Sequence, residues 1–314
     1  MKTLALCVSL VLQLAAARHV FNLKHVTRHS TAEPARRWAI AAVLCSLATT
    51  TLHLAPDAVA VQIRTALLHL SVTVQLTPLI SILGARRPGV RAWPWFVILP
   101  MLLVFQWPSA SQVMAESAGT AVVIERPSSL GLMFVVVMGA GNYFGTRFTC
   151  AAVLGALGIF TQHFAVSEWT IDLGVSPGNV WLVAAGTTVV CIAVLQTGLG
   201  TRTDAPTGLW QELWVDYRDI FGIVWARRVA DRVNQFAVRE SWNHRLTLDG
   251  FVSADAEPST QTEARNDQVT GREGRVLCWI LRRFVDREFL ERYLADDLIP
   301  PQTGPLDQPP SESA

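Results

Sequence analysis

The sequence predicts an all-α, polytopic helical membrane protein, with about seven transmembrane helices (six or seven) and a cytoplasmic tail containing two amphipathic helices. Three observations carry this. Of the 314 residues, 51% are hydrophobic and only 16% are charged, against roughly 25% charged in soluble domains. The charge is also segregated: residues 1–200 hold 12 Lys and Arg with 6 Asp and Glu, and residues 201–314 hold 14 and 19. A soluble protein spreads its charge because every surface element needs a wet face, so this segregation points to lipid. Third, Trp38, Trp93, Trp95, Trp107, Trp169 and Trp181 fall at or near the ends of apolar runs. Indole favours the membrane interface, where the ring is half buried and the N–H stays wet.

A spanning helix needs about 20 mostly apolar residues. The candidates are Leu4–Ala17, Trp38–Ala55, Thr65–Gly84, Ala92–Trp107, Ser129–Gly145, Phe148–Val166 and Asn179–Gly198. The first and fourth are short. Pro78, Pro94 and Pro100 predict kinks in the third and fourth. Only Thr146 and Arg147 separate the fifth from the sixth, as a tight hairpin or a broken element.

Loop charge sets orientation by counting Lys and Arg. Arg18, Lys24, Arg28, Arg36, Arg37, Arg86, Arg87, Arg91 and Arg147 lie in one set of loops. The alternate set carries only Lys2, Arg64 and Arg126, with Asp57, Glu116, Glu125, Glu168 and Asp172. The amino terminus is therefore expected outside and the carboxy terminus in the cytoplasm, in a multi-pass protein of the plasma membrane. The rival reading is a signal peptide cleaved after Ala15-Ala16-Ala17, which would invert every later loop.

Ionisable groups inside a membrane are functional candidates by default. No Asp, Glu or Lys falls within a span, which disfavours carboxylate-coupled transport and aspartyl protease chemistry. His53, His69 and His163 are all expected toward the outer half, where a shared cluster could ligate a metal or haem; separate interfacial histidines are the bland alternative. Gln75 and Asn142 are polar residues in mid-span, more often helix–helix glue than catalytic groups. Around Asn142, the small-xxx-small pair Gly141 and Gly145 predicts close helix packing, or a re-entrant segment lining a polar site. The ligand-binding candidates are thus Asn142, Gly141, Gly145 and His69.

In the tail, Trp210, Leu213, Trp214, Tyr217, Phe221, Val224 and later residues recur at helical spacing opposite Glu212, Asp216, Asp219, Arg227 and Asp231. Gly222 permits a bend. Expected divisions are a bundle over 1–200, this helix over 201–252, a flexible linker over 253–271, a second amphipathic helix over 272–299 and a disordered end over 300–314. The apolar stripes need partners: each other, the bundle, the leaflet, or another protein docking through Trp210, Trp214, Phe221 and Trp225. Asp219, Arg227, Arg228 and His244 are the candidate catalytic groups, since acid, base and aromatic side chains are densest here.

Cys7, Cys45, Cys150, Cys191 and Cys278 show no ligand spacing. No disulfide framework, metal site or cofactor is expected, and the tail's net charge of −5 argues against nucleic acid as a partner. Three function classes remain open: a membrane scaffold or receptor-like protein, a membrane-embedded lipid or acyl transferase, and a transporter of a neutral or apolar solute.

Overall fold

The computed structural model describes residues 1–55, 59–85, 93–115, 119–199, 208–253 and 271–299. The loop charges Asp57, Arg86, Arg87, Arg91 and Glu116 and the carboxy-terminal segment 300–314 lie outside the described residues. So does the expected linker, except for its ends, Ser253 and Gly271. The chain forms two compact units: Met1–Val26, Glu33–Gly84 and Arg91–Gly200, then Thr27–Ala32, Ala85–Val90 and Thr201–Ala314.

Among the described residues, the regular structure of the first unit is helical apart from an isolated bridge between Ile124 and Ser167. Its elements are α1 (Lys2–Asn22), α2 (Lys24–Thr27, which ends at the unit boundary), α3 (Glu33–Leu54), α4 (Val61–Val74), α5 (Thr77–Leu83), α6 (Trp93–Ala115), α7 (Arg126–Gly141), α8 (Thr149–Phe164), α9 (Glu168–Asp172) and α10 (Val180–Leu199). Among the described residues, five segments are long and apolar enough to cross a membrane: Lys2–Thr27, Glu33–Leu54, Val61–Leu83, Trp95–Ala115 and Val180–Gly198. The expectation that the first and fourth spans are short is overturned. Helix α1 runs on through Arg18 and His19, and α6 continues past Trp107 through Pro108. The short span candidates are instead α7 and α8, 16 residues each.

Span three breaks where proline chemistry requires it. Helix α4 ends at Val74, and Pro78 sits in the first turn of α5, where its missing N–H costs no intrahelical bond. Pro100 and Pro108 lie inside α6. Between α7 and α8 the chain makes a compact turn. The Thr149 hydroxyl donates to Tyr143 O at 3.1 Å and accepts from Gly145 N–H at 3.0 Å.

The expected packing through Gly141 and Gly145 does not occur. Gly145 has left the helix with φ +78°, and a side chain at either position would meet open space. Close approach falls instead between α8 and α10. A Cβ at Gly158 would stand 2.7 Å from Gly186 O, and one at Gly186 would stand 2.7 Å from Gly158 O. Around the bundle, α10 packs on α1 and α8, α3 packs on α1, α4 and α5, and α4 packs on α6 and α8.

The second unit contains α11 (Leu209–Arg239), a hairpin of β1 (His244–Thr247) and β2 (Gly250–Ser253), α12 (Gly271–Leu281), α13 (Arg287–Leu290) and a 3-10 turn (Asp296–Leu298). Helix α11 is interrupted at Gly222, whose φ 79° and ψ 175° lie outside helical space and suit only glycine. The second amphipathic helix is also interrupted. At Phe284–Asp286 the backbone pairs with the segment Thr27–Ala32: Thr31 N–H donates to Phe284 O and Asp286 N–H to His29 O, both at 2.8 Å. Those groups are withdrawn from helical i→i−4 bonding, so one helix becomes two.

An aromatic core closes this unit. Phe284 meets Tyr217 at 5.4 Å, Phe221 at 5.5 Å and Trp225 at 5.2 Å, edge to face. Polar residues of α11 hold the hairpin. The Asn234 side chain donates to Leu246 O and accepts from Leu246 N–H, at 2.8 and 2.7 Å. Trp214 Nε1–H donates to Thr247 O at 2.9 Å.

Candidate functional site

Beside an apolar cluster, the bundle buries polar side chains that pair with one another. Gln13 donates to the hydroxyls of Ser46 and Thr50 at 3.0 and 2.8 Å, and Ser9 shares a 3.0 Å hydrogen bond with Thr188. Gln75, at the α4–α5 junction, and Gln162 of α8 exchange amide hydrogen bonds at 3.0 and 3.3 Å. Gln106 donates to the Thr73 hydroxyl at 2.7 Å. Such contacts satisfy side chains that hydrocarbon would leave unpaired.

Two of the three histidines meet within this seam. The rings of His69 (α4) and His163 (α8) lie 5.8 Å apart between centroids, tilted by 44°. They are 1% and 0% exposed, and Leu68 and Val72 on α4 and Ile159 on α8, near them in sequence, belong to one buried apolar cluster. His69 Nε2 lies 2.8 Å from Phe105 O. A carbonyl only accepts, so Nε2 carries the proton and Nδ1 keeps a lone pair. His69 Nδ1 and both ring nitrogens of His163 are buried without a hydrogen-bond partner among the described residues. His53, the third of the expected cluster, bonds through Nδ1 to Thr49 O of its own helix at 2.8 Å.

Asn142 is buried at the carboxy-terminal cap of α7, and the turn that follows holds Gly145.

In the second unit the four catalytic candidates sit with separate neighbours. Asp219 is 1% exposed and accepts from Arg218 Nε and Nη2, both at 3.1 Å. Arg218 also donates to Leu248 O at 3.0 Å, so the pair braces the hairpin turn. Arg227 is exposed and pairs with Asp231 one turn on. Arg228 covers the Trp225 ring at 4.9 Å. His244 Nδ1 lies 3.2 Å from Glu273 Oε1. Trp214, Phe221 and Trp225 are buried in the unit's own core, and Trp210 is half-buried.

A further grouping escaped the sequence reading. His29, Asp286 and Glu288 bring one ligand atom each to within 4.8 Å of one another, with both carboxylates exposed. Partial burial, and then the charge of Glu288, raise the Asp286 carboxyl above its ordinary range, opposed by His29. Only the fold brings residues so distant in sequence together. Burial alone pushes the Cys278 thiol up to about 12.

Compared with protein-family models, curated proteins and solved structures, the chain matches none. The class rests on the fold alone: a mostly helical chain with, among the described residues, five apolar helices long enough to cross a membrane.

Proposed function

We propose that the chain is a receptor-like, non-catalytic protein of the plasma membrane, with seven spans, an outer amino terminus and a folded cytoplasmic domain that binds a partner. The observation carrying this is that Thr27–Ala32, which joins α2 to α3, belongs to the same compact unit as the tail. An even number of crossings must then separate that loop from the tail. Four result if α7 and α8 stop short, and six if both cross; one span fewer breaks the parity. At 16 residues, α7 and α8 are each about 24 Å long, and local thinning of a roughly 30 Å core accommodates them.

Loops expected outside also meet one another. Arg126 pairs with Asp172 at 2.7 Å and with Glu168 at 3.5 Å. The basic loops then face the cytoplasm.

The transferase reading draws less support, because Asp219, Arg227 and His244 are engaged by separate neighbours. With Trp214, Phe221 and Trp225 inside the domain, the partner face is the outer stripe of α11, where Val224 and Val238 stand exposed beside Arg227 and Arg228. A photo-crosslinking residue at Val238 of the full-length protein, irradiated in native membranes, tests this. A discrete adduct with a second protein is expected, and the absence of any protein adduct overturns the partner-binding reading.

A transporter is the second reading, favoured by the Gln75–Gln162 and Gln106–Thr73 pairs between α4, α6 and α8. It predicts solute flux into sealed proteoliposomes that Gln75→Leu abolishes.

A further inference from the structure

We infer that His69 and His163 form a binding site for a single Cu(I) ion inside the bundle. The inference is independent of whether the tail binds a partner.

Burying a polar group without a partner is costly, and here three imidazole nitrogens are buried together. The state of His69 is that of a prepared ligand. Its Nε2–H is anchored on Phe105 O at 2.8 Å, which fixes the tautomer and ring orientation and leaves Nδ1 as the donor atom. Metal-ligating histidines are oriented in this manner by an outer hydrogen bond. His163 offers the second nitrogen from α8.

The spacing fits. With metal–nitrogen bonds of about 2.0–2.1 Å, one nitrogen from each ring places the centroids roughly 5 to 6.3 Å apart, depending on the bond angle. With one nitrogen of each ring turned to the ion, the observed 5.8 Å corresponds to a wide angle, between tetrahedral and linear. Haem does not fit, because a porphyrin needs a near-linear axial pair, and the 5.8 Å between centroids falls short of the roughly 6.3 Å that a linear pair requires.

Charge selects the ion. No Asp, Glu or Lys occurs in α4, α6 or α8, and both imidazoles are neutral ligands. A divalent ion would carry two uncompensated charges into an apolar interior, where the desolvation penalty rises steeply with charge. A monovalent ion with affinity for imidazole and tolerance of low coordination meets both conditions, and Cu(I) is that ion.

The test uses the full-length protein, free of affinity-tag histidines, in lipid nanodiscs under anaerobic conditions. Cu(I) is delivered in competition with a Cu(I)-specific chelator, and the bound metal is examined by X-ray absorption. The expected result is one Cu(I) per chain with a nitrogen-only shell showing imidazole scattering. His69→Gln and His163→Gln should each weaken binding at least about tenfold and remove that shell. Wild-type absorption alone decides the matter if either variant fails to fold. Binding no tighter than in empty nanodiscs, a sulfur shell from the cysteines, or unchanged binding in both variants overturns the site. Tighter binding of Zn(II) than of Cu(I) overturns the choice of ion.

Discussion

The two units of this chain turn opposite kinds of side chain outward. On α1, Leu4, Val8, Val11 and Leu14 are exposed while Ser9 and Gln13 are buried. On α11 the order reverses: Leu213, Trp214, Tyr217 and Phe221 are buried, and Arg227, Arg228 and Asp231 face outward. The hydrophobic effect explains the second arrangement but not the exposed apolar face of the first, since it acts where water is the alternative environment. In lipid an apolar surface is already solvated, so helices are held by small residues and interhelical hydrogen bonds. Both ingredients occur here: Gly158 against Gly186, and Gln13, Gln75, Gln106 and Gln162 in cross-helix contacts.

Each half of this contrast can be broken separately, and the largest effect belongs to the aromatic core. Phe221→Ala removes the ring that touches Tyr217 and Phe284, at a cost of about 3–5 kcal/mol, a large part of a small domain's total stability. Hydrogen exchange on the full-length protein should show α11 and α12 losing protection while α3 and α8 keep theirs. Loss of protection in both units contradicts their independence.

Gln13→Leu acts on the other unit. It deletes the hydrogen bonds to Ser46 and Thr50, and interhelical bonds of this kind contribute roughly 0.6–1.7 kcal/mol in membranes. A lowered thermal midpoint of the bundle is expected, with exchange in α11 unchanged. If leucine instead stabilises the bundle, its interior behaves like a water-soluble core.

The smallest effect is pH-dependent. Asp286 has its pKa raised in the folded state, so its favourable contribution is present below the unfolded value of about 3.9. It is lost as pH rises through the folded one. Asp286→Asn should therefore stabilise the second unit at neutral pH, by about 0.5 kcal/mol or less for so exposed a group. The gain should vanish in acid. Exchange rates of α13 at two pH values read this out.

Helix positions were legible because spans and amphipathic stretches are long and periodic. Gly222 announced its interruption, and Pro78 the break before α5. The hairpin at 244–253 was not legible: each strand has four residues, too few for alternation to outweigh the preceding helical pattern. Nor was the split of the second tail helix, which depends on Thr27–Ala32 more than 250 residues earlier in the chain. Of the candidate site, residue types alone singled out His69 and His163, and charge alternation placed them at similar depth. Their pairing without His53 depends on the helix faces that pack, which no local spacing specifies. Glycine packing was assigned to Gly141 and Gly145 when Gly158 and Gly186 carry it. A small-residue spacing marks a packing face only if both members remain helical.

The most direct test of the inversion is spin-label accessibility at two exposed apolar positions, Leu103 on α6 at 72% and Val238 on α11 at 83%. In reconstituted full-length protein, a label at Leu103 should collide readily with oxygen and scarcely with a water-soluble nickel chelate. A label at Val238 should do the reverse. Equal access of the nickel chelate to both positions would contradict a lipid-facing bundle joined to a water-facing domain.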